Sequence, residues 1–259
     1  MGAFEANTNP FGGIIPEPSG LPRDPVIFGD KLKESLEIWQ AAGYKVVWLE
    51  LNLDLANLVP VAVKQGFEYH HSGKNYLMLT KSIVENAFIP PYASHYIGAG
   101  GVAVNKNDEL LVVHEKGRGS SAPFYKLPGG ALHAGEHLVE GVIREVLEET
   151  GIQSRFLSLA CFRNQHGYRY GKSDIYFVCR LEPLTNEITK QEEEIEDCIW
   201  MPIKEYYKAE SVSYFNKLVV RAALGSPGVV PTHVEGYRDP ETAEVFLPKG
   251  SVDALADHL

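Results

Sequence analysis

The chain has 259 residues, is 44% hydrophobic and carries a formal charge of -10 at neutral pH. That is enough apolar content for a sizeable core, and the length fits two modest domains better than one. The acidic balance excludes a nucleic-acid polymer as partner, since phosphate tracking needs a basic patch, and no run approaches the roughly 18 apolar residues of a membrane-spanning helix.

Residues 1–24, rich in Gly and Pro, read as a flexible N-terminal arm without the basic and apolar regions of a secretory leader. Ala6 stands where a myristoylation signal needs Ser or Thr, and the C-terminal ADHL is a poor peroxisomal address. A cytoplasmic location, with access to the nucleus, is the default.

From residue 25 to 90 a small α/β domain is expected. "GDKLKESLEIWQAAG" places Leu32, Leu36 and Trp39 at helical spacing before Gly43, and "YKVVWLEL" reads as a strand. "LANLVPVAVKQG" predicts a second helix and "FEYHHSGKNYLMLT" a hairpin. "FIPPYASH" reads as a stiff linker. The second domain is expected over 95–225. It opens with two alternating apolar runs around Asn105–Asp108, a hairpin signature, followed by a mobile loop at 117–123 and then "FYKLPGGALHAGE". A helix over 138–150, strands at 156–165 and 173–183, and a helix ending at Gly225 follow. Residues 226–259 are left as an extension with no interpretable signal. Cys161, Cys179 and Cys198 have neither zinc-site nor disulfide-framework spacing and read as reduced, buried thiols.

The helix over 138–150 carries the chemistry. At about 100° per residue, Leu138, Val139, Val142, Ile143, Val146 and Leu147 fill one half of its circumference, and Glu145, Glu148 and Glu149 gather on the remainder. The bland reading is a solvated acidic face with Arg144 bridging Glu140 and Glu148. Against it, residues 131–152 hold five glutamates, one arginine and no lysine. Two of the glutamates also sit in the last turn, where the helix dipole disfavours anions. A hard divalent cation offsets both penalties, because Mg²⁺ takes oxygen ligands from one or two carboxylates and substrate phosphates. Gly129 and Gly130 permit the backbone to approach such an ion closely.

Gly130, Glu136, Arg144-Glu145-Val146, Glu148-Glu149 and Gly151-Ile152 stand at the spacing of a known signature, and the stretch resembles the Nudix box. The resemblance implies an α/β/α sandwich around a mixed sheet and hydrolysis of a nucleoside diphosphate linked to another moiety. It implies Glu145, Glu148, Glu149 and the Gly129 carbonyl as ligands of Mg²⁺ or Mn²⁺, with Arg144 orienting the carboxylates. Glu149, or a glutamate of "QEEEIEDCIWMP" such as Glu193 or Glu194, is the implied proton acceptor; Glu148, Arg144 and Glu194 complete the catalytic set. The first domain is similar to the segment that precedes the Nudix domain in plant-type ADP-ribose and NADH pyrophosphatases, itself similar to a fragment of an acetyltransferase fold. A small nucleotide substrate, no membrane, and a homodimer are the partners this resemblance implies. Tyr168, Phe124 and Tyr125 are candidates to stack on an adenine ring. Other readings stay open: a hydrolase of damaged nucleotides or dinucleoside polyphosphates, or a catalytically weak nucleotide-binding protein.

Overall fold

A computed structural model describes residues 2–117 and 124–252. The expected mobile loop, apart from Gly117, lies outside the described residues. The chain forms two compact units, Met1–Ser94 and His95–Leu259. Among the described residues no helix is long and apolar enough to cross a membrane.

The first unit is a five-stranded sheet with helices. Its elements are β1 (Ala6–Thr8), β2 (Gly13–Pro16), α1 (Pro25–Ala41), β3 (Val46–Asn52), α2 (Val59–Lys64), β4 (Glu68–Ser72) and β5 (Tyr76–Ser82). The strand order is β1-β2-β3-β5-β4, with β2 and β3 parallel and the other neighbours antiparallel. Asp24 starts α1 by accepting from the Val26 and Ile27 amides at 2.8 and 3.0 Å, and Pro25 occupies the first turn where no amide is needed. The helix lays Phe28, Leu32 and Trp39 against Val47, Leu49, Leu51 and Leu79 of the sheet.

Three sequence expectations need correction in this unit. The N-terminal arm is not loose: β1 and β2 extend the sheet, Phe4 is buried, and its amide donates to Ser35 Oγ at 3.0 Å. The second helix is split into a 3-10 segment, Leu53–Leu58, and the short α2, because Pro60 has no amide to donate and can sit only in the first turn. Part of the expected linker packs onto the sheet. His70 Nε2 donates to the Pro90 carbonyl at 2.8 Å and the His71 ring stacks on Tyr92 at 4.6 Å.

The second unit contains β6 (His95–Ala103), β7 (Glu109–Glu115), β8 (Gly129–Ala131), α3 (Leu138–Thr150), β9 (Ser154–Gln165), β10 (Ser173–Pro183), β11 (Ile195–Pro202), α4 (Ile203–Lys208) and α5 (Tyr214–Gly225). A mixed sheet runs β8-β6-β10-β9 with β6 and β10 parallel, and β7 pairs antiparallel with β11. Period-two alternation sends side chains to two faces. Ala99, Leu111, Val113, Cys179 and Leu181 pack with Val142 and Val146 of α3. Val102, Leu110, Val112 and Val178 pack with Tyr206 of α4 and Val220 and Ala223 of α5. Helices therefore cover both faces, which is the expected α/β/α sandwich.

β6 and β7 do not make the expected hairpin. The turn closes, with Asn105 Oδ1 accepting from the Asn107 and Glu109 amides, but only Val104 and Leu110 bridge before the strands part into different sheets. Part of the expected extension also packs on the second unit. Leu159 exchanges two backbone hydrogen bonds with Val229, and β12 (Val230–Pro231) pairs with β13 (Phe246–Leu247). Cys179 and Cys198 are buried and Cys161 partly so, all three as free thiols.

Candidate active site

α3 is capped at its start by a distant residue and at its end by the adjoining glycine. No side chain of its own N-cap, His137, caps it. Glu244 does so instead, accepting from the Leu138 amide at 2.6 Å, while His137 Nε2 donates to the Pro240 carbonyl at 3.0 Å. At the other end Gly151 takes φ 74, the left-handed geometry that closes a helix, and donates to the Leu147 carbonyl at 2.8 Å.

The buried arc of α3 is rotated from the predicted half toward the glutamates. Leu147 is 43% exposed, whereas Glu149 is only 4% exposed and Thr150 is fully buried. Glu149 accepts from the Gly129 amide at 2.8 Å, so β8 supplies the partner that makes its burial tolerable. Burial nevertheless raises its pKa to about 7, against the opposing pull of the Lys126 ammonium and the Gly129 amide.

Arg144 gathers the other acids. Its guanidinium grips Glu136 through Nε at 2.6 Å and Nη2 at 2.9 Å, and Nη1 reaches Glu145 at 3.0 Å and Glu148 at 2.9 Å. The two-pronged contact fixes the plane of the fork. It also lowers the Glu136 carboxyl to about 2, chiefly through the Arg144 hydrogen bonds. Of the two partners that the bland reading gives Arg144, Glu148 is bonded, and Glu136, which the chain brings back from before the helix, takes the place of Glu140.

The two glycines make room for this cluster. Gly129 has φ 145, and a Cβ there would strike the Ala99 carbonyl. A Cβ on Gly130 would lie 2.5 Å from the Glu145 carboxylate. Gly129 and Gly130 line a cavity of about 630 Å³, together with the charged side chains of Glu115, Lys126, Arg163 and Arg169. Tyr96, Phe124 and Tyr168 add aromatic surface, with Tyr96 and Tyr168 edge-on at 6.0 Å. Arg163 is held by a hydrogen bond to Asp174, itself 6% exposed, and its Nε is buried without a partner among the described residues.

Glu145, Glu149, Arg144 and Gly129 thus form one connected region beside the cavity, with Glu148 at its exposed edge. Glu193 and Glu194 do not join it: both are exposed in a turn and neither lines the cavity. Tyr125 also points elsewhere, donating to Asp197 at 2.6 Å. Sequence reasoning missed Lys126, Glu115, Arg163, Asp174 and Glu244. Glu115 ends an apolar strand and Lys126 stands three residues before Gly129, which were the available signals.

The donor set suits a hard divalent cation. Carboxylates and a backbone carbonyl are all oxygen ligands, and the glycine turn opens space that a side chain would fill. Among the described residues, however, no three His, Cys, Asp or Glu side chains converge as a metal-binding group. Arg144 draws Glu145 and Glu148 to itself, and Lys126 stands beside Glu149, its Nζ 3.6 Å from Oε1.

Comparison with known proteins agrees with this geometry. A NUDIX domain model matches residues 94–222, and a Nudix hydrolase domain model matches residues 4–83. Nudix hydrolase 2 of Arabidopsis thaliana is 42% identical over 80% of this chain and 75% of its own length. Nudix hydrolase 8 of the same plant is 40% identical over 78% of the chain, which spans only 56% of that relative. Human nucleoside diphosphate-linked moiety X motif 6 is 32% identical over 83% of the chain and 70% of its own length. The extent of these matches, together with the intact glutamate signature on α3, shows that the chain belongs to the Nudix hydrolase family.

Proposed function

We propose that the protein is a Mg²⁺-dependent pyrophosphatase that hydrolyses ADP-ribose, NADH or both to AMP and a phosphorylated remainder. The observation that carries this reading is the placement of Glu145, Glu149 and the Gly129 backbone directly beside a cavity with aromatic and cationic walls. Glu145, Glu148, Glu149 and the Gly129 carbonyl would hold Mg²⁺, or Mn²⁺ in its place. Such a cation supplies charge neutralisation for the diphosphate and makes a nearby water more acidic.

The remaining tasks fall to the chain's own groups. Arg144 fixes the directions of Glu145 and Glu148, and the Gly129 amide fixes that of Glu149. Arg163 and Arg169 offer positive charge to phosphate oxygens, and Asp174 keeps Arg163 in place. Tyr168 and Phe124 offer ring faces to an adenine. Glu149 is the proton acceptor we favour over Glu193 and Glu194, which lie away from the cavity. A homodimer working in the cytoplasm, with access to the nucleus, completes the proposal; sedimentation equilibrium and imaging of a tagged chain check those two points.

The deciding experiment separates products by chromatography after incubation with ADP-ribose, NADH and diadenosine polyphosphates, each with Mg²⁺ and with EDTA. AMP released from ADP-ribose or NADH only with metal is the expected result. Cleavage confined to the polyphosphates would replace the substrate class, and binding without cleavage would replace the enzyme by a nucleotide-binding protein.

A further inference from the structure

Lys126 has no place in the family signature, yet its ammonium stands among three oxygens of the site. Nζ lies 2.6 Å from Glu115 Oε1, 3.2 Å from the Gly129 carbonyl and 3.6 Å from Glu149 Oε1. The three oxygens come from the end of β7, the start of β8 and the last turn of α3. Their convergence on one cation is a property of the folded unit rather than of a local motif. Two of the three are members of the proposed metal ligand set. A divalent ion that takes the Gly129 carbonyl and Glu149 would stand against a lysine whose side chain is only 18% exposed, and like charges at such range in a partly buried site repel strongly.

The backbone of Lys126 cannot yield. It exchanges two hydrogen bonds with Val113, each 2.9 Å, which fasten it to β7. The four-carbon side chain can yield, because it lines the cavity and has open volume on that side.

We propose that Lys126 is a built-in counter-cation. It neutralises Glu115 and Glu149 in the metal-free protein, is displaced into the cavity when a divalent cation binds, and there contacts the substrate's diphosphate. This rests on the functional reading above and adds to it an exchange of one cation for another.

The test measures metal uptake without turnover. Mn²⁺ is titrated into the nucleotide-free protein and free Mn²⁺ is read by electron paramagnetic resonance. Lys126→Met keeps the length of the side chain and removes its charge. It should bind Mn²⁺ about tenfold or more tightly than the native chain, while Lys126→Arg stays near the native value. In the presence of Mn²⁺, Lys126→Met should bind an α,β-methylene analogue of ADP-ribose roughly tenfold more weakly. Unchanged or weaker Mn²⁺ binding by Lys126→Met overturns the proposal.

A second measurement needs no variant. Acetylation of the native chain by a succinimidyl ester, followed by mass spectrometry, compares Lys126 with the exposed Lys106. Saturating Mn²⁺ should raise labelling of Lys126 relative to Lys106 several-fold, and an unchanged ratio counts against displacement. A protein that shows the exchange but cleaves no nucleotide would remove the pyrophosphatase reading and leave Lys126 as the metal's competitor.

Discussion

The two units share an architecture, helices on a mixed sheet, and differ in what they bury. Among the described residues of the first unit the buried polar side chains are Ser35 and Thr80, both neutral. In the second they include His114, Glu149 and Asp174, and the half-buried Arg144 and Lys126 stand beside Glu149 and its neighbours. Burying a charge without compensation is expensive, and a core built only for stability would do what the first unit does. The second unit tolerates the expense because each acid has a specific partner: Gly129 for Glu149, Arg163 for Asp174, Arg144 for Glu136 and Glu145. Stability and function are therefore separable by residue, and substitutions in the two units should separate them.

The largest effect is expected at Glu149. Glu149→Gln keeps the shape of the side chain and removes a buried charge whose pKa is already raised by burial. Turnover should fall ~10²- to 10⁴-fold, as expected for loss of a few kcal/mol of electrostatic stabilisation, with the urea midpoint unchanged or higher. Turnover near the native value would remove Glu149 from the chemistry. Leu49→Ala in the first unit is the converse. Leu49 is fully buried between α1 and the sheet, so its truncation should cost about 2–5 kcal/mol of stability, with turnover per folded molecule retained. A loss of turnover in the folded fraction would show that the first unit contributes to the site.

The same contrast explains what the sequence disclosed. Features set by local spacing were legible: the signature on α3, the strand alternation of Val47, Leu49 and Leu51, and the helix stops at Gly43 and Gly225. Features set by a distant partner were not. The charge pattern of α3 puts Glu149 on an acidic face, but the Gly129 amide, 20 residues upstream, turns it inward. Apolar alternation marks β6 and β7 as strands without saying that they enter different sheets. β1 and β2 are only three and four residues long and interrupted by turn residues, so nothing before folding distinguishes them from a loop; β3 supplies the pairing. Glu244 lies 106 residues from the amide it accepts from, beyond the reach of any capping pattern.

That cap gives a smaller effect. Glu244→Ala leaves the Leu138 amide without its acceptor and removes a negative charge from the positive end of α3. The cost should be about 1 kcal/mol in urea unfolding. The closing segment would then be a stabilising strap on the second unit rather than an appendage. A midpoint equal to that of the native chain would show that water satisfies the amide equally well.

The smallest effect is a pH dependence that tests whether the Arg144 cluster stabilises the fold or only orients the acids. Glu136 has a folded pKa of about 2, lowered mainly by the Arg144 hydrogen bonds and also by the His133 amide, against an ordinary value of 4.5. A carboxyl whose folded pKa is depressed stabilises the protein fully above its unfolded pKa, and that contribution is lost as pH falls toward the folded value. The window is thus between about 4.5 and 2. Arg144 keeps its charge throughout, so the loss follows protonation of Glu136 alone in this pair. Glu136→Gln keeps one hydrogen-bond acceptor but removes the titration. Urea unfolding at several pH values across that window should show the native chain losing about 0.5 kcal/mol more than the variant, a figure kept small because the cluster borders solvent. Parallel curves would mean that the guanidinium finds Glu145 and Glu148 equally good partners, and that the grip on Glu136 orients the site without stabilising the unit that carries it.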